Sequence, residues 1–317
     1  MKSLQSWTGA LIRRFLGMRA RGNDWRSELV RAAGRAPLVL GESTDLVREF
    51  LLSQQNPDGG FRGRTPQSDL YYTLFGLNGL RALEVPADTT RVSSYLASFE
   101  EGAALDFVHL CCLAGCHAAL GGAGLPPDLR DALVRRLESH RSHDGGYHPQ
   151  PNQPHGTAYA AFLAVGAYGD LQARLPKPGR IISAVDGLKT ADGGWSNDRQ
   201  VSVGSANATA AALATLSHLG AVARYRKAGE WLLSQAHPMG GFRASPLAPA
   251  PDLLSTATVL HALTTTGLPV EAIREPCLDF VDSLWSNKGG FHGHWHDESL
   301  DVEYTFYGLL ALGHLGA

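Results

Sequence analysis

QQNPDGGFRGRTPQSDLYYTLFGLNGL, residues Gln54 to Leu80, holds the plan of the whole chain. A glutamine closes an apolar segment, a Gly-Gly-aromatic turn follows, and a polar loop leads to an apolar segment headed by Asp69. The same order recurs. Paired glycines stand at Gly59/Gly60, Gly145/Gly146, Gly193/Gly194, Gly240/Gly241 and Gly289/Gly290, followed by Phe61, Tyr147, Trp195, Phe242 and Phe291. Their separations of 86, 48, 47 and 49 residues leave room for two units in the first gap, which makes six. The missing turn falls near Glu101 to Ala104, where EEGAALDFVHLCCLAG restarts an Asp-led apolar segment without the glycine pair.

The segments before the turns, such as LVREFLLSQQ and AGEWLLSQA, space apolar residues three and four apart, the period of an amphipathic helix. Those after the turns, such as TAYAAFLAVGAYG, ANATAAALATLSHLG and TATVLHALTTTG, are apolar almost all round and require burial. Six such hairpins bury everything if the apolar helices form an inner ring and the amphipathic ones a jacket. The expected fold is all-α, an α6/α6 toroid; an open solenoid of the same hairpins is the alternative. Closure is favoured by the last unit, Asp301 to Leu315, an apolar helix with no polar cap repeat.

Hydrophobic residues at 44% and charged ones at 18% fit a globular chain with a large interior. A formal charge of −2 gives no reason to expect nucleic acid. Cys111, Cys112 and Cys116 share one inner helix and Cys277 stands alone, which suits free thiols in a reducing, cytoplasmic setting. No apolar run is long enough to span a bilayer. Residues 1–40 form a separate N-terminal segment, with the toroid over 41–317. In SLQSWTGALIRRFLGMRARG, Leu4, Trp7, Leu11, Ile12, Phe15 and Leu16 alternate with Arg13, Arg14, Arg19 and Arg21. Residues 4–21 are therefore expected to pack on the toroid or a partner, or to touch a membrane surface peripherally.

FLLSQQNPDGGF, with RLESHRSHDGGY, VDGLKTADGGW and WLLSQAHPMGGF, resembles the repeat shared by protein prenyltransferase β subunits and by squalene and oxidosqualene cyclases. Within that superfamily the chain is most similar to β subunits of the Rab geranylgeranyltransferase type. The resemblance runs from about Asp45 onward. It implies a central apolar cavity for an isoprenoid, chemistry at the starts of the inner helices, and a helical partner subunit.

In β subunits, zinc is held at that mouth by Asp and Cys two residues apart and by a His from the next helix. In the family's register the fifth unit reads Asp252, Leu253, Leu254, and the histidine of the sixth is replaced by Tyr304. The first two units match better. Arg64 falls near a diphosphate-binding position, Asp69 in the aspartate position, Tyr71 where cysteine belongs, Tyr72 in the following aromatic position and His109 in the ligand position. A shifted zinc or magnesium site would use Asp69 and His109 with Asp106 or His155, the last expected at the third position of its inner helix.

Cyclases of this superfamily protonate an alkene with the middle acid of Asp-x-Asp-Asp-Thr. The sixth unit reads Asp301, Val302, Glu303, Tyr304, Thr305, with Glu303 in the donor position. A carboxyl desolvated beside another carboxyl stays protonated until substrate arrives. Such cyclases place substrate between this toroid and a second helical domain, for which 317 residues leave no room.

Helix capping accounts for Asp69, Asp106, Asp252 and Asp301, each at the head of a helix. It does not account for His109 or Glu303, which follow the cap position. His292, His294 and His296 alternate on a polar loop and are expected to be surface. Tyr71, Tyr72, Phe75, Phe107, Tyr159, Tyr304 and Tyr307 are candidates for the pocket wall, and SANATAAALATL for a wide sector in it. The leading expectation is prenyl transfer from a polyprenyl diphosphate by Asp69 and His109, with Arg64, Tyr71, Tyr72, Asp106, His155 and Tyr304 binding substrate. Cyclisation through Glu303 and Asp301, and a non-catalytic scaffold, are the alternatives.

Overall fold

The computed structural model of the protein describes residues 25–121 and 125–316. The basic stretch 4–21 lies outside the described residues. In chain order the helices are α1 (Trp25–Ala33), α2 (Pro37–Leu40), α3 (Ser43–Ser53), α4 (Leu70–Ala82), α5 (Thr89–Ala97), α6 (Phe107–Ala119) and α7 (Pro127–Ser139). They continue as α8 (Ala158–Asp170), α9 (Pro178–Asp186), α10 (Ala206–His218), α11 (Arg226–Leu233), α12 (Leu253–Thr266), α13 (Arg274–Asp282) and α14 (Val302–Leu315).

The even-numbered helices from α4 to α14 are the apolar ones, and each packs on the next around a ring. α14 then packs on α4, so the ring is closed and the open solenoid is ruled out. The amphipathic helices α3, α5, α7, α9, α11 and α13 precede them in chain order and form the jacket, giving an α/α toroid of six hairpins. The pair without glycines, α5 and α6, is joined through Glu100 and Gly102, both at positive φ. The four cysteines are free and buried.

One turn chemistry sets the start of most inner helices. In the first unit Asp58 Oδ1 accepts from Gly60 N and from the Ser68 hydroxyl, folding the loop back on itself. Phe61 and Arg62 (β1) then pair antiparallel with Ser68 and Asp69 (β2), putting Asp69 opposite Phe61. Phe242–Arg243 (β3) and Pro251–Asp252 (β4) repeat this in the fifth unit, and Trp285–Ser286 (β5) pairs with Gly290–Phe291 (β6) in the sixth. The aromatic after each glycine pair is buried to 1% exposure or less, each contributing about 1.5–3 kcal/mol.

The fourth residue of the inner helix holds the turn. Phe61 N donates to Thr73 Oγ1, Trp195 N to Thr209 Oγ1 and Phe242 N to Thr256 Oγ1, each at 2.9 Å, and Phe291 N to Thr305 Oγ1 at 3.4 Å. The threonine hydroxyls donate in turn to the carbonyls of Asp69, Ser205, Asp252 and Asp301. The mouth of the ring is thereby built on a braced frame. At the other end, α1 packs on α14, α4 and α8 and forms a floor, with Gly313 lying against the Ala32 carbonyl. Arg26 of α1 meets Asp170 at 2.7 Å, both side chains buried. No helix among the described residues is long and apolar enough to cross a membrane.

Candidate functional site

The ring encloses a cavity lined by all six inner helices and floored by Arg26 and Leu29. Its volume is about 210 Å³. Helix register gives the cavity its levels. Tyr71, Val108, Tyr159, Asn207 and Leu254, each the second residue of its helix, line the top, while Asn78, Ala214, His261 and Leu310, each the ninth, line the bottom. Seven residues of helix separate the levels, about 10 Å. Between them Phe75, Phe162, Phe306 and Tyr307 add aromatic wall, and α10 adds only the small residues Ala210 and Ala211. The wide sector expected there is present. Of the aromatics expected in the wall, Phe107 is instead buried against His140, Tyr72 covers Gly63 and Tyr304 covers Gly293.

Glu303 is the second residue of α14, the position whose counterparts in the other five inner helices line the top level. Its Oε1 accepts from the Tyr71 hydroxyl at 2.6 Å. Burial lifts its pKa to about 7, and the Asp301 charge adds to the rise, while the Tyr71 bond and Arg64 oppose it. Glu303 is thus protonated in much of the population near neutrality. With Oε1 taken by Tyr71, Oε2 carries the proton.

The aspartates are caps. Asp69 accepts from Tyr71 N and Tyr72 N, Asp106 from His109 N, Asp252 from Ser255 N and Asp301 from Tyr304 N. Asp301, with a side chain at 0% exposure, is held above the usual carboxylate range by burial despite the nearby Arg64. Arg64 reaches from the first unit into the sixth, donating to Asp301 Oδ2 at 3.0 Å and Asp297 Oδ2 at 2.6 Å, over the Tyr304 ring. Its charge is already matched by two carboxylates, which is not the open anchor a diphosphate requires.

His109 lies between Asp69, whose Oδ2 is 3.1 Å from Nε2, and Asp106, whose Oδ1 is 2.9 Å from Nδ1. The Asp69 hydrogen bond, aided by Asp106, raises its pKa to about 9 against the cost of burial. Both nitrogens of the one ring face carboxylates, so Asp69 and His109 offer two donors where zinc takes three or more. Among the described residues no group of three or more His, Cys, Asp or Glu is placed to hold a metal ion. The donor set does not fit the shifted zinc site.

His155 corrects another expectation. α8 begins after the cap Thr157, so His155 precedes the helix; it is exposed and lies 3.5 Å from Asp144. Counting from an aspartate fails there because unit three caps with threonine. His294 and His296 are exposed, as expected. Sequence reasoning missed the bottom of the cavity, where Asn78, His261 and Arg26 are polar. The only signal was a polar residue at the ninth position of helices otherwise apolar there.

The prenyltransferase alpha-alpha toroid domain model matches residues 25–97, 97–224 and 206–316. No curated protein matches by sequence. Among solved structures, the chain is similar to a type II terpene cyclase from Scytonema in complex with geranylgeranyl dihydroxybenzoate, at TM-score 0.62 and 14% identity over 89% of this chain and 97% of that one. Candida albicans protein geranylgeranyltransferase-I complexed with GGPP gives TM-score 0.63 and 13% identity over 86% and 90%. A polysaccharide lyase gives 0.60 and 12% over 91% and 96%. The toroid therefore hosts several chemistries. With the family model covering nearly every described residue, the chain belongs to the prenyltransferase alpha-alpha toroid domain family.

Proposed function

We propose that the protein is an acid-initiated isoprenoid cyclase. The observation that carries this is the partner of Glu303: a carboxyl with pKa near 7 is hydrogen-bonded by Tyr71, whose side chain lines the top of a cavity walled by aromatic rings. A polyene enters with its terminal alkene under Oε2. The O–H bond breaks, the alkene π pair takes the proton to form a C–H bond, and the tertiary cation left behind is captured by the next alkene. Tyr71 strengthens the acid by donating to the carboxylate that forms. The faces of Phe75, Phe162, Phe306 and Tyr307 stabilise the moving positive charge and keep water away.

Prenyl transfer has less support from the geometry, since Arg64 is committed to Asp297 and Asp301 and the Asp69–His109 pair lacks a third donor. The two reactions separate in heavy water. Geranylgeranyl acetate, geranylgeranyl diphosphate and squalene are incubated with the full chain in D₂O, and products are analysed by mass spectrometry. A ring product carrying one solvent deuterium, absent with Glu303→Gln, is expected. Diphosphate release without ring formation, or a product free of deuterium, would overturn the assignment.

A further inference from the structure

The bottom of the cavity contains a histidine pair that proton donation at the mouth does not use. His261 Nδ1 lies 3.2 Å from His314 Nε2, and His314 Nδ1 lies 3.3 Å from Thr264 Oγ1. The Thr264 hydroxyl also lies 3.0 Å from the Leu260 carbonyl, and in the arrangement where it donates there it accepts from His314. His314 then carries its proton on Nδ1 and presents a bare Nε2. His261 in turn donates from Nδ1, which leaves its own Nε2 with a free lone pair and no partner among the described residues. His261 lines the cavity.

A second group points to a ligand at the same level. Asn78, at 4% exposure and likewise ninth in its helix, lines the cavity with Oδ1 buried and without a hydrogen-bond partner among the described residues. Both unfilled groups are acceptors, suited to positive charge or to a proton leaving carbon.

Resting on the cyclase reading, we propose that His261, oriented by His314 and Thr264, is the base that ends the reaction at the floor of the cavity. The C–H bond beside the final cation breaks, its electron pair becomes the new C=C bond, and the proton goes to His261 Nε2. The proton gained from Glu303 is thus balanced by one lost about two helix turns away, and the net reaction is an isomerisation. His314 is a positioning residue. Burial supports the role: it lowers His261 to about 4 and His314, also repelled by Arg35, to about 3. The pair is neutral at physiological pH, and a tertiary carbocation is a far stronger acid than either imidazolium. The low basicity also lets the proton leave again for the next turnover. The separation of acid and base along the ring axis selects chains long enough to place their first and last reacting carbons at least about 10 Å apart.

The test uses the full chain with geranylgeranyl acetate and squalene, comparing products of the wild type, His261→Phe and His261→Asn. Substrate consumption is expected to stay within about tenfold of wild type, because Glu303 still protonates, while the main alkene gives way to water-captured alcohols or shifted alkenes. An unchanged product from an active His261 variant overturns the proposal and leaves Glu303 standing. No consumption by the wild type, or full consumption by Glu303→Gln, overturns the cyclase reading and this role with it. Should the variants fail to fold, ¹⁵N NMR of wild-type imidazoles decides: His261 with its proton on Nδ1 is expected, and a proton on Nε2 overturns the proposal.

Discussion

The Tyr71 hydroxyl donates to Glu303 Oε1 at 2.6 Å, joining the second residue of the first inner helix to the second residue of the last. The acid is therefore assembled only when the ring closes. The bond favours the carboxylate, so Tyr71→Phe weakens the acid. A hydrogen bond to a charged group contributes about 1.5–3 kcal/mol, and the expected loss in kcat is about 10- to 100-fold. Activity needs protonated Glu303 and falls as pH rises through about 7. Removing a contact that lowers this pKa moves the falling limb to higher pH. A pH–rate profile of Tyr71→Phe that keeps the wild-type limb and rate would show that the hydroxyl plays no part.

Arg64 is the second tie across the seam, linking the first unit to Asp297 and Asp301 of the sixth. Arg64→Ala leaves Asp301 buried without its cation. Because Arg64 itself is 42% exposed, the cost is set at about 1–3 kcal/mol rather than the full penalty for a buried pair. Arg64→Lys recovers only part, since one ammonium cannot reproduce the two directed contacts. Urea melts of the three proteins check this; equal midpoints would mean that the pair contributes nothing.

What could be read from the residues alone follows from the kind of information each feature needs. The glycine-aromatic turns and the two helix types are local patterns, and they suffice for the six hairpins and for the aspartate caps, while ring closure is read from the packing of α14 on α4. Glu303 is legible because it stands two residues after a cap. Its partner Tyr71 lies 232 residues away and meets it only through closure, which no local pattern encodes. His261 and His314 lie 53 residues apart, deep in two apolar helices where periodicity reports only that a face is inward. His155 is misplaced by the repeat register because Thr157 takes the capping role that Asp69, Asp106, Asp252 and Asp301 play in other units.

His109 gives the mouth a pH-dependent contribution to stability. Its folded pKa, about 9, lies above the ordinary 6.5, so folding favours the charged ring. The contribution is complete below about pH 6.5, declines as pH rises toward 9 and is lost above it. With His109 and both carboxylates partly exposed, its size is about 1 kcal/mol. His109→Gln should flatten the stability profile between pH 6.5 and 9 and leave polyene consumption within a few fold of wild type. An unaltered profile in chemical denaturation would assign the decline to other groups.

Gly289 tests whether the seam carries the site. Its φ of +86 disfavours any side chain, and a Cβ there would overlap the Leu46 carbonyl of α3, the first jacket helix. Gly289→Ala therefore combines left-handed strain of about 1–2 kcal/mol with displacement of α3, for a total of about 3 kcal/mol or more. Gly179, in the first turn of α9, faces open space where a methyl group would stand, with nothing within 4 Å and no positive φ. Gly179→Ala should be neutral or stabilise by about 0.5–1 kcal/mol through the unfolded chain. Because Tyr71 and Arg64 of the first unit meet Glu303 and Asp301 of the sixth across the same seam, the Gly289 variant should also lose polyene consumption below its melting temperature, with Gly179→Ala unaffected. Equal stability of the two variants would show that the glycine turn between the sixth unit and α3 does not hold the ring closed.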